Sequence, residues 1–125
     1  LESNRFTILD DSYNANPHSM KAAIDTLKTF SGEKIAVLGS MAELGANSKE
    51  LHQEIGEYAS QADLDKLYTI GEDSQHYNGE LFPDIESLYN QLNEHHSGAT
   101  ILIKGSRMMN LDELVDILSK TSISS

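Results

Sequence analysis

The sequence predicts an α/β domain with a mainly parallel sheet, and three observations support that prediction. Short β-like runs alternate with helical patterns along the 125-residue chain. No internal repeat and no low-complexity linker interrupts this alternation, which is typical of βαβ units. Apolar residues make up 38% of the chain, which suffices for the aliphatic core of one domain spanning residues 1–125.

Five short runs have the composition of strands, and the last of them is apolar enough to be fully buried. Residues 71–80 lie between two of these runs and show no clear pattern beyond one helical turn. The five runs together predict a sheet of about five to six strands. The strands are expected at residues 6–9, 35–38, 67–70, 81–82 and 100–103.

Capping residues mark the starts of the predicted helices. Asn16 fits the N-cap and Pro17 the first position of a helix that ends near Phe30. A Ser, Thr, Asp or Asn three residues before a Glu is the spacing of a capping box. The other helix starts are assigned to boxes at Asn47/Glu50 and Asn110/Glu113 and to a cap at Asp84.

Composition and charge exclude several classes of function. The formal net charge of −11 argues against a nucleic-acid-binding surface, because binding phosphates requires clustered Lys and Arg. The absence of cysteine excludes disulfides, thiolate catalysis and Cys-based zinc sites. The five histidines have no metal-site spacing and are interpreted as structural or solvent-facing. No metal site and no Ser/His/Asp arrangement is predicted.

The hydropathy pattern and the chain ends favour a domain in a reducing, aqueous compartment. No apolar run approaches the ~20 residues of a membrane span, and residues 1–6 lack the apolar region of a signal peptide. The chain begins almost directly on a strand, as expected for a domain of a longer protein. Residues 120–125 are small and polar and are expected to be frayed.

Three polar segments directly follow predicted strands. They read "DDSYNANP" (10–17), "GSMAELG" (39–45) and "KGSRMMN" (104–110). In open parallel sheets, ligands bind outside the carboxyl ends of the strands. We therefore expect the three segments to lie along one edge of the domain and to form any ligand site there.

The first segment admits two interpretations from chemistry alone. In one, its Asp and Asn side chains satisfy backbone groups of a βα turn and cap the following helix. In the other, Asp11 accepts the paired hydroxyls of a ribose, Tyr13 lies against a base, and Asn14 donates and accepts hydrogen bonds. The pair of adjacent acids, Asp10 and Asp11, makes the first interpretation incomplete, since neighbouring carboxylates repel unless they are exposed or partnered.

The other two segments are also ambiguous. "LGSMAELG" lacks the Gly-Lys-Ser/Thr of a phosphate-binding loop, and it fits a tight turn in which Met41 packs inward. Glu43 is then either an exposed acid or a ligand contact. Lys104, Ser106 and Arg107 form a small basic loop that suits a carboxylate or a phosphate, although a solvated turn ahead of a helix is equally compatible.

Three longer stretches resemble one family. "DDSYNANPHSMKAAID", "VLGSMAELGANSKELHQEIG" and "ILIKGSRMMNLDELVDIL" resemble, in order and spacing, the C-terminal domain of the MurF branch of the Mur ligases. The resemblance covers nearly the whole chain. It implies a three-layer, Rossmann-like fold with helices on both faces of the sheet, in a bacterial cytoplasmic enzyme of three domains.

The resemblance also implies an activity for the full-length enzyme. Such an enzyme phosphorylates UDP-N-acetylmuramoyl-tripeptide with ATP and Mg²⁺, and the amine of D-Ala-D-Ala attacks the acyl phosphate during peptidoglycan synthesis. The N-terminal domain holds the UDP-sugar, and a central ATPase domain carries the phosphate loop and the Mg²⁺ ligands, outside this chain. The present domain would complete the ATP pocket and position the dipeptide, with no catalytic residue of its own, so that alone it is expected to be inactive.

Site residues are implied position by position. Asp11 matches the acid that contacts the ATP ribose, and Tyr13 and Asn14 match residues beside the nucleotide. No metal ligand is implied within this chain. The positions that match the dipeptide site are Lys104, Ser106, Arg107, Met41 and Glu43.

Two positions depart from the pattern of the family, and two alternative functions stay open. Ser40 stands where the family commonly has Asp, and Met108 stands where Gly is common. One alternative is a free-standing, flavodoxin-like binding module without catalysis. The other is the equivalent domain of a different Mur-type amino acid ligase.

Overall fold

The computed structural model describes residues 6–12 and 15–120, and in this part of the chain strands alternate with helices. The strands are β1 (Thr7–Asp11), β2 (Lys34–Gly39), β3 (Lys66–Ile70), β4 (Glu80–Phe82) and β5 (Thr100–Lys104). The helices are α1 (Pro17–Lys28), α2 (Ser48–Ser60), α3 (Ile85–His95) and α4 (Leu111–Lys120). Short 3₁₀ turns lie at Gly45–Asn47, Ser74–Tyr77 and Arg107–Met109.

The five described strands form one sheet in the order β1-β5-β2-β3-β4, and every pairing is parallel. The predicted parallel sheet is therefore confirmed. The last strand in the chain, β5, lies between β1 and β2. Its insertion makes the carboxyl ends of β1, β5 and β2 immediate neighbours, and these are the three strands that precede the polar segments.

Helices cover both faces of the sheet, which confirms the predicted three-layer architecture. On one face α3 and α4 pack on strand residues such as Ile101 and Ile103, and on the other α1 and α2 pack on Ala36 and Leu38. The two faces alternate along each strand because successive side chains point in opposite directions. None of the helices in the described part is long and apolar enough to cross a membrane.

The strands extend further toward the candidate site than the sequence predicts. Polar residues such as Asp10, Asp11 and Lys104 still pair in the sheet. The strands β1 and β5 therefore end at Asp11 and Lys104, beyond the expected ends at residues 9 and 103. A side chain's polarity does not prevent its backbone from continuing a ladder of hydrogen bonds. In α1 the start at Pro17 is confirmed, whereas the helix ends at Lys28 rather than near Phe30.

The predicted helix caps differ in outcome. Asp84 accepts a hydrogen bond from Ser87 N–H at 2.8 Å, as expected of an N-cap. The box at Asn47 is wrong, because Asn47 ends a 3₁₀ turn with φ −91° and ψ 7° and its side chain makes no capping bond. Asn110 precedes α4 but adopts a left-handed conformation with φ 54°, not the extended backbone of a usual N-cap. Residues 121–125 of the predicted frayed tail lie outside the described residues, and Lys120 ends α4.

Candidate functional site

The three polar segments meet at one edge of the sheet, as predicted. Asp11 of β1 pairs in register with Lys104 of β5, and Lys104 pairs with Leu38 of β2. Beyond the strands, the Ser106 N–H donates a hydrogen bond to the Ser40 carbonyl at 3.0 Å. The topology alone produces this meeting, because residues 93 positions apart become neighbours only when β5 inserts between β1 and β2.

The ion pair between Asp11 and Lys104 occupies the first junction. The Lys104 ammonium bonds Asp11 Oδ2, and the Lys104 side chain is 1% exposed while that of Asp11 is 40% exposed. A buried ammonium needs an opposite charge and hydrogen-bond acceptors to offset its lost hydration. Lys104 therefore acts on the carboxylate predicted to face the nucleotide, and its direct contact with a dipeptide stays a prediction.

The adjacent carboxylates of β1 do not compete for one position. Asp10 Oδ1 accepts a hydrogen bond from the Ser12 N–H at 3.1 Å, which closes the turn after the strand. Asp11 turns to the opposite face of β1, toward Lys104. Each carboxylate thus has its own partner, which resolves the repulsion expected from the sequence. Asp10 is the more exposed of the two residues, so the assignment of Asp11 to a ligand stays a prediction.

The end of the first segment, Asn16 and Pro17, starts helix α1. Asn16 Oδ1 accepts from the Ser19 N–H at 2.9 Å, and Ser19 Oγ accepts from the Asn16 N–H at 3.1 Å. This reciprocal pair is a capping box, so the structural role predicted for Asn16 is confirmed. Tyr13 and Asn14, the other predicted nucleotide contacts, lie outside the described residues.

The backbone that leaves β2 is held at three consecutive residues. The Gly39 carbonyl accepts from the Tyr77 hydroxyl at 2.8 Å, and the Ser40 N–H donates to the Ile70 carbonyl at 3.2 Å. The Met41 N–H then donates to His52 Nε2 at 3.0 Å. Burial raises the pKa of the Tyr77 phenol, which therefore stays a hydrogen-bond donor. The loop leaves the sheet along a path fixed by α2 and its neighbouring turn.

Met41 and Glu43, both predicted to face the dipeptide, differ sharply in environment. Met41 is 4% exposed and belongs to the core cluster beneath α1 and α2, as the inward-packing interpretation predicts. Glu43 is exposed and has φ +60°, a left-handed conformation that few non-glycine residues adopt. Of the two, only the Glu43 side chain is open to a ligand, and its contact with one stays a prediction.

Ser48, His52 and Asp73 come together, although no Ser/His/Asp arrangement is predicted from the sequence. Ser48 Oγ lies 3.3 Å from His52 Nδ1 and donates to Asp73 Oδ2 at 2.9 Å. A nucleophilic triad needs an imidazole nitrogen that is free to take the serine proton. Here Nδ1 also contacts the Ser48 carbonyl at 2.7 Å and Nε2 is taken by Met41, so the arrangement is structural.

Two glycines let the loops after β2 and β5 approach closely. A Cβ added to Gly105 would lie 2.7 Å from Leu111 Cδ1 and 3.0 Å from Gly39 Cα. A Cβ on Gly39 would lie 2.9 Å from the same Leu111 atom. The two backbones therefore touch through positions that only glycine fills without displacing its neighbours.

The Ser40 side chain has an unusual environment. Its hydroxyl is buried and, within the described residues, has no hydrogen-bond partner. A Cβ at Gly71 would lie 2.4 Å from that hydroxyl oxygen, so the glycine leaves room for Ser40. The carboxylate that the resemblance leads us to expect at this position would be larger and charged, and a buried charge without a partner is strongly unfavourable.

The basic loop after β5 presents one exposed cation. Ser106 is 6% exposed, whereas Arg107 is exposed at the start of the 3₁₀ turn Arg107–Met109. A guanidinium at the edge of such a loop can bind a carboxylate through two parallel N–H donors. The side chain of Met108, the second departure from the family, lies outside the described part.

At least two cavities border the described domain. One of about 400 Å³ lies beside β1 and α1, and its lining includes Asp10, Asp11, Ala23 and Leu102. The other, of about 750 Å³, lies between α2 and the β3–β4 edge, and no predicted site residue lines it. Of these two, the smaller cavity reaches the first polar segment, through Asp10 and Asp11. Over residues 6–12 and 15–120, no three His, Asp or Glu side chains converge as metal ligands would.

Comparison with known proteins places the chain in a family. The sequence profile of the family described as "Mur ligase, glutamate ligase domain" matches residues 1–107. The UDP-N-acetylmuramoyl-tripeptide–D-alanyl-D-alanine ligase of Escherichia coli is 39% identical over an alignment of 121 positions, gaps included, which covers 90% of this chain and 27% of that protein. The ligase of the same name from Buchnera aphidicola is 38% identical over an alignment of 130 positions, gaps included, which covers 98% of this chain and 28% of that protein.

A solved structure gives the same result. The MurF ligase from Thermotoga maritima, in complex with ADP, superposes with a TM-score of 0.87 at 31% identity. The match covers 96% of this chain and 29% of that one. The chain thus spans little more than a quarter of the length of the relatives it matches. Because the family profile covers most of the chain, the protein described here belongs to the Mur ligase family and corresponds to its C-terminal domain.

Proposed function

We propose that this chain is the C-terminal domain of a MurF-type ligase, which joins D-Ala-D-Ala to UDP-N-acetylmuramoyl-tripeptide in the bacterial cytoplasm. The observation that carries the proposal is the meeting of Asp11, Lys104 and the 104–107 loop at one edge of the sheet, in a chain 39% identical to a ligase with that name. ATP and Mg²⁺ take part in the full-length enzyme, and the Mg²⁺ ligands belong to the central domain.

On the nucleotide side, we assign the contact with the ATP ribose to Asp11. Lys104 bonds Oδ2, and we assign the other carboxylate oxygen, Oδ1, to a ribose hydroxyl of ATP. A carboxylate held by a buried lysine keeps its orientation before the nucleotide arrives, which reduces the entropy lost on binding. Tyr13 and Asn14 are assigned to the same nucleotide. The ADP bound in the Thermotoga maritima ligase supports a nucleotide in this family of structures.

On the dipeptide side, we assign the contact with D-Ala-D-Ala to the basic loop after β5. Arg107 is assigned to the D-Ala-D-Ala carboxylate, with the exposed Glu43 at the rim of the same position. Ser106, Lys104 and Met41 act from beneath, because all three are almost fully buried. The domain positions the attacking amine toward the acyl phosphate, and positioning of this kind contributes to the rate without any bond being broken by the domain itself.

The proposal is tested on the full-length protein. Phosphate release is measured with ATP, Mg²⁺ and UDP-N-acetylmuramoyl-tripeptide, and with D-Ala-D-Ala, D-glutamate or a single D-alanine as the amine. We expect release and a product of the corresponding mass with D-Ala-D-Ala alone. Preference for another amine would assign the chain to a different branch of the family, whose profile is named for glutamate ligases. Absence of release with every amine would favour a binding module and contradict the proposal.

The isolated domain provides the matched control. It lacks a phosphate-binding loop in its sequence, so we expect no ADP release when it is given all the substrates. Measurable turnover by the 125-residue chain would contradict the proposal that ATP cleavage requires the central domain.

A further inference from the structure

The roles of both nitrogens of His52 are fixed by backbone atoms. The Ser48 carbonyl, 2.7 Å from Nδ1, can only accept, so Nδ1 carries the proton. The Met41 N–H, 3.0 Å from Nε2, can only donate, so Nε2 is the unprotonated acceptor. The ring is therefore neutral and in one tautomer, and it links the first turn of α2 to the loop that leaves β2.

Burial makes this link hard to replace. His52 is fully buried and Met41 is 4% exposed, so water has little access to the Met41 N–H. A buried N–H without an acceptor costs about 1–3 kcal/mol. The loop would have to move toward solvent to satisfy that group if His52 lost its acceptor.

The effect of the link reaches the dipeptide side through two further contacts. The Tyr77 ring packs on His52 with ring centroids 4.9 Å apart, and its hydroxyl holds the Gly39 carbonyl. Ser40 lies between these two anchored residues, and its carbonyl accepts the Ser106 N–H at 3.0 Å. A shift of Met41 would therefore move Ser40 and with it the backbone of the 104–107 loop.

We propose that His52 is a positioning residue for the incoming dipeptide, acting through the Met41 amide and the Ser40 carbonyl on the loop of Ser106 and Arg107. This inference rests on the proposed function for the identity of the ligand. The anchoring of the loop by His52 stands on geometry alone, so the two can be tested separately.

The test compares variants of the full-length protein. His52→Gln keeps an acceptor near the position of Nε2, and His52→Leu keeps the burial and removes the acceptor. If the Leu variant does not fold, His52→Asn replaces it, because the shorter amide reaches the Ser48 carbonyl and not Met41. His96→Leu is the matched control, since His96 is also buried (5% exposed) and bonded at both nitrogens, to Tyr68 and Glu33.

Two measurements separate positioning from general stability. Hydrogen exchange of the Met41 amide, followed in peptides covering residues 39–47, should be at least roughly ten-fold faster in His52→Leu or His52→Asn and near wild type in His52→Gln. The KM for D-Ala-D-Ala should rise roughly ten-fold in the same variants while the KM for ATP stays unchanged. His96→Leu should lower the stability and change neither readout.

Each result decides a separate statement. Unchanged exchange at Met41 in His52→Leu or His52→Asn would overturn the anchoring, whatever the substrate is. Faster exchange with an unchanged dipeptide KM, or with equal changes in both KM values, would overturn the positioning role. A wild-type enzyme that is inactive on D-Ala-D-Ala would overturn the proposed function, and the exchange result would still decide the anchoring.

Discussion

The two ends of the sheet each bury a histidine, and the two side chains bind different kinds of partner. At the carboxyl end, His52 bonds the backbone of Met41 and Ser48. At the amino end, His96 bonds side chains, with Nε2 2.5 Å from the Tyr68 hydroxyl and Nδ1 2.9 Å from Glu33 Oε2. Both rings satisfy both nitrogens, so burial alone does not distinguish them.

The two ends of the sheet are stabilised in different ways. Bonds to backbone atoms fix the path of a loop, which is what a ligand site needs. Bonds between side chains instead tie together elements that are already regular. At the amino end Gln91 also donates to the Tyr68 hydroxyl at 3.2 Å, which connects α3 to β3, and burial raises the pKa of Tyr68. We interpret the carboxyl end as the ligand-facing end and the amino end as structural.

Glycines show the same contrast. Gly105 lies at the carboxyl end, where the backbone of Gly39 leaves no room for a Cβ. Gly98 lies at the amino end in open space, and it is required by its φ of +92° instead. Gly105 allows two loops to come into contact, whereas Gly98 allows a turn with a positive φ.

The largest expected effect comes from filling the contact at the carboxyl end. Gly105→Ala places a Cβ 3.0 Å from Gly39 Cα and 2.7 Å from Leu111 Cδ1, so the two loops must separate. We expect a loss of about 1–3 kcal/mol in the free energy of unfolding, measured in urea. We also expect a higher KM for D-Ala-D-Ala, because the 104–107 loop moves.

Gly98→Ala is the control for that change. A left-handed alanine costs about 1 kcal/mol, and we expect this loss of stability without any change in KM. Equal effects of the two variants on dipeptide KM would remove the distinction between the two ends.

The second prediction concerns the buried ion pair. Lys104→Met replaces a 1% exposed side chain by an apolar one of similar length. Since Asp11 is 40% exposed, water can hydrate its carboxylate, and we expect a change in unfolding free energy below about 1 kcal/mol. The KM for ATP should nevertheless rise, because the carboxylate loses its fixed orientation. A large loss of stability with an unchanged KM would make the pair a purely structural feature.

Much of the architecture could be predicted from the sequence because it follows from local patterns. Alternating strands and helices, the start of α1 at Pro17 and the cap at Asp84 depend on residues within one turn of each other. The predicted cap at Asn47 is wrong because a 3₁₀ turn precedes α2. At the end of that turn Asn47 has φ −91° and ψ 7°, not the extended backbone of a usual N-cap, and its side chain makes no capping bond.

The site could be predicted as a location and not as a set of contacts. The three segments meet because β5 lies between β1 and β2. The alternation of strands and helices predicts only that the segments share one edge of the sheet, and it does not predict this order. The pairing of Lys104 with Asp11 depends on the register between β1 and β5, and no local pattern encodes it. The bond between His52 and the Met41 N–H depends on how α2 packs beside the loop after β2, so no residue spacing predicts it.

The smallest expected effect concerns Ser40. Its buried hydroxyl has no partner in the described residues, so Ser40→Ala removes an unsatisfied polar group. We expect the free energy of unfolding to stay the same or to rise by up to about 1 kcal/mol. Kinetic constants should not change, because the Ser40 carbonyl, not its side chain, holds Ser106. A clear loss of stability in chemical denaturation would indicate that the hydroxyl has a partner in the full-length protein.

We propose that the carboxyl end of the sheet binds ATP through Asp11 and the dipeptide through the neighbouring 104–107 loop. The most direct measurement is the pair of KM values, for ATP and for D-Ala-D-Ala, of the full-length Asp11→Ala enzyme, with Asn16→Ala as a control that weakens only the α1 cap. We predict a roughly 10- to 100-fold higher KM for ATP with an unchanged KM for the dipeptide, since hydrogen bonds to a charged group contribute about 1.5–3 kcal/mol. A rise confined to the dipeptide KM would contradict the account.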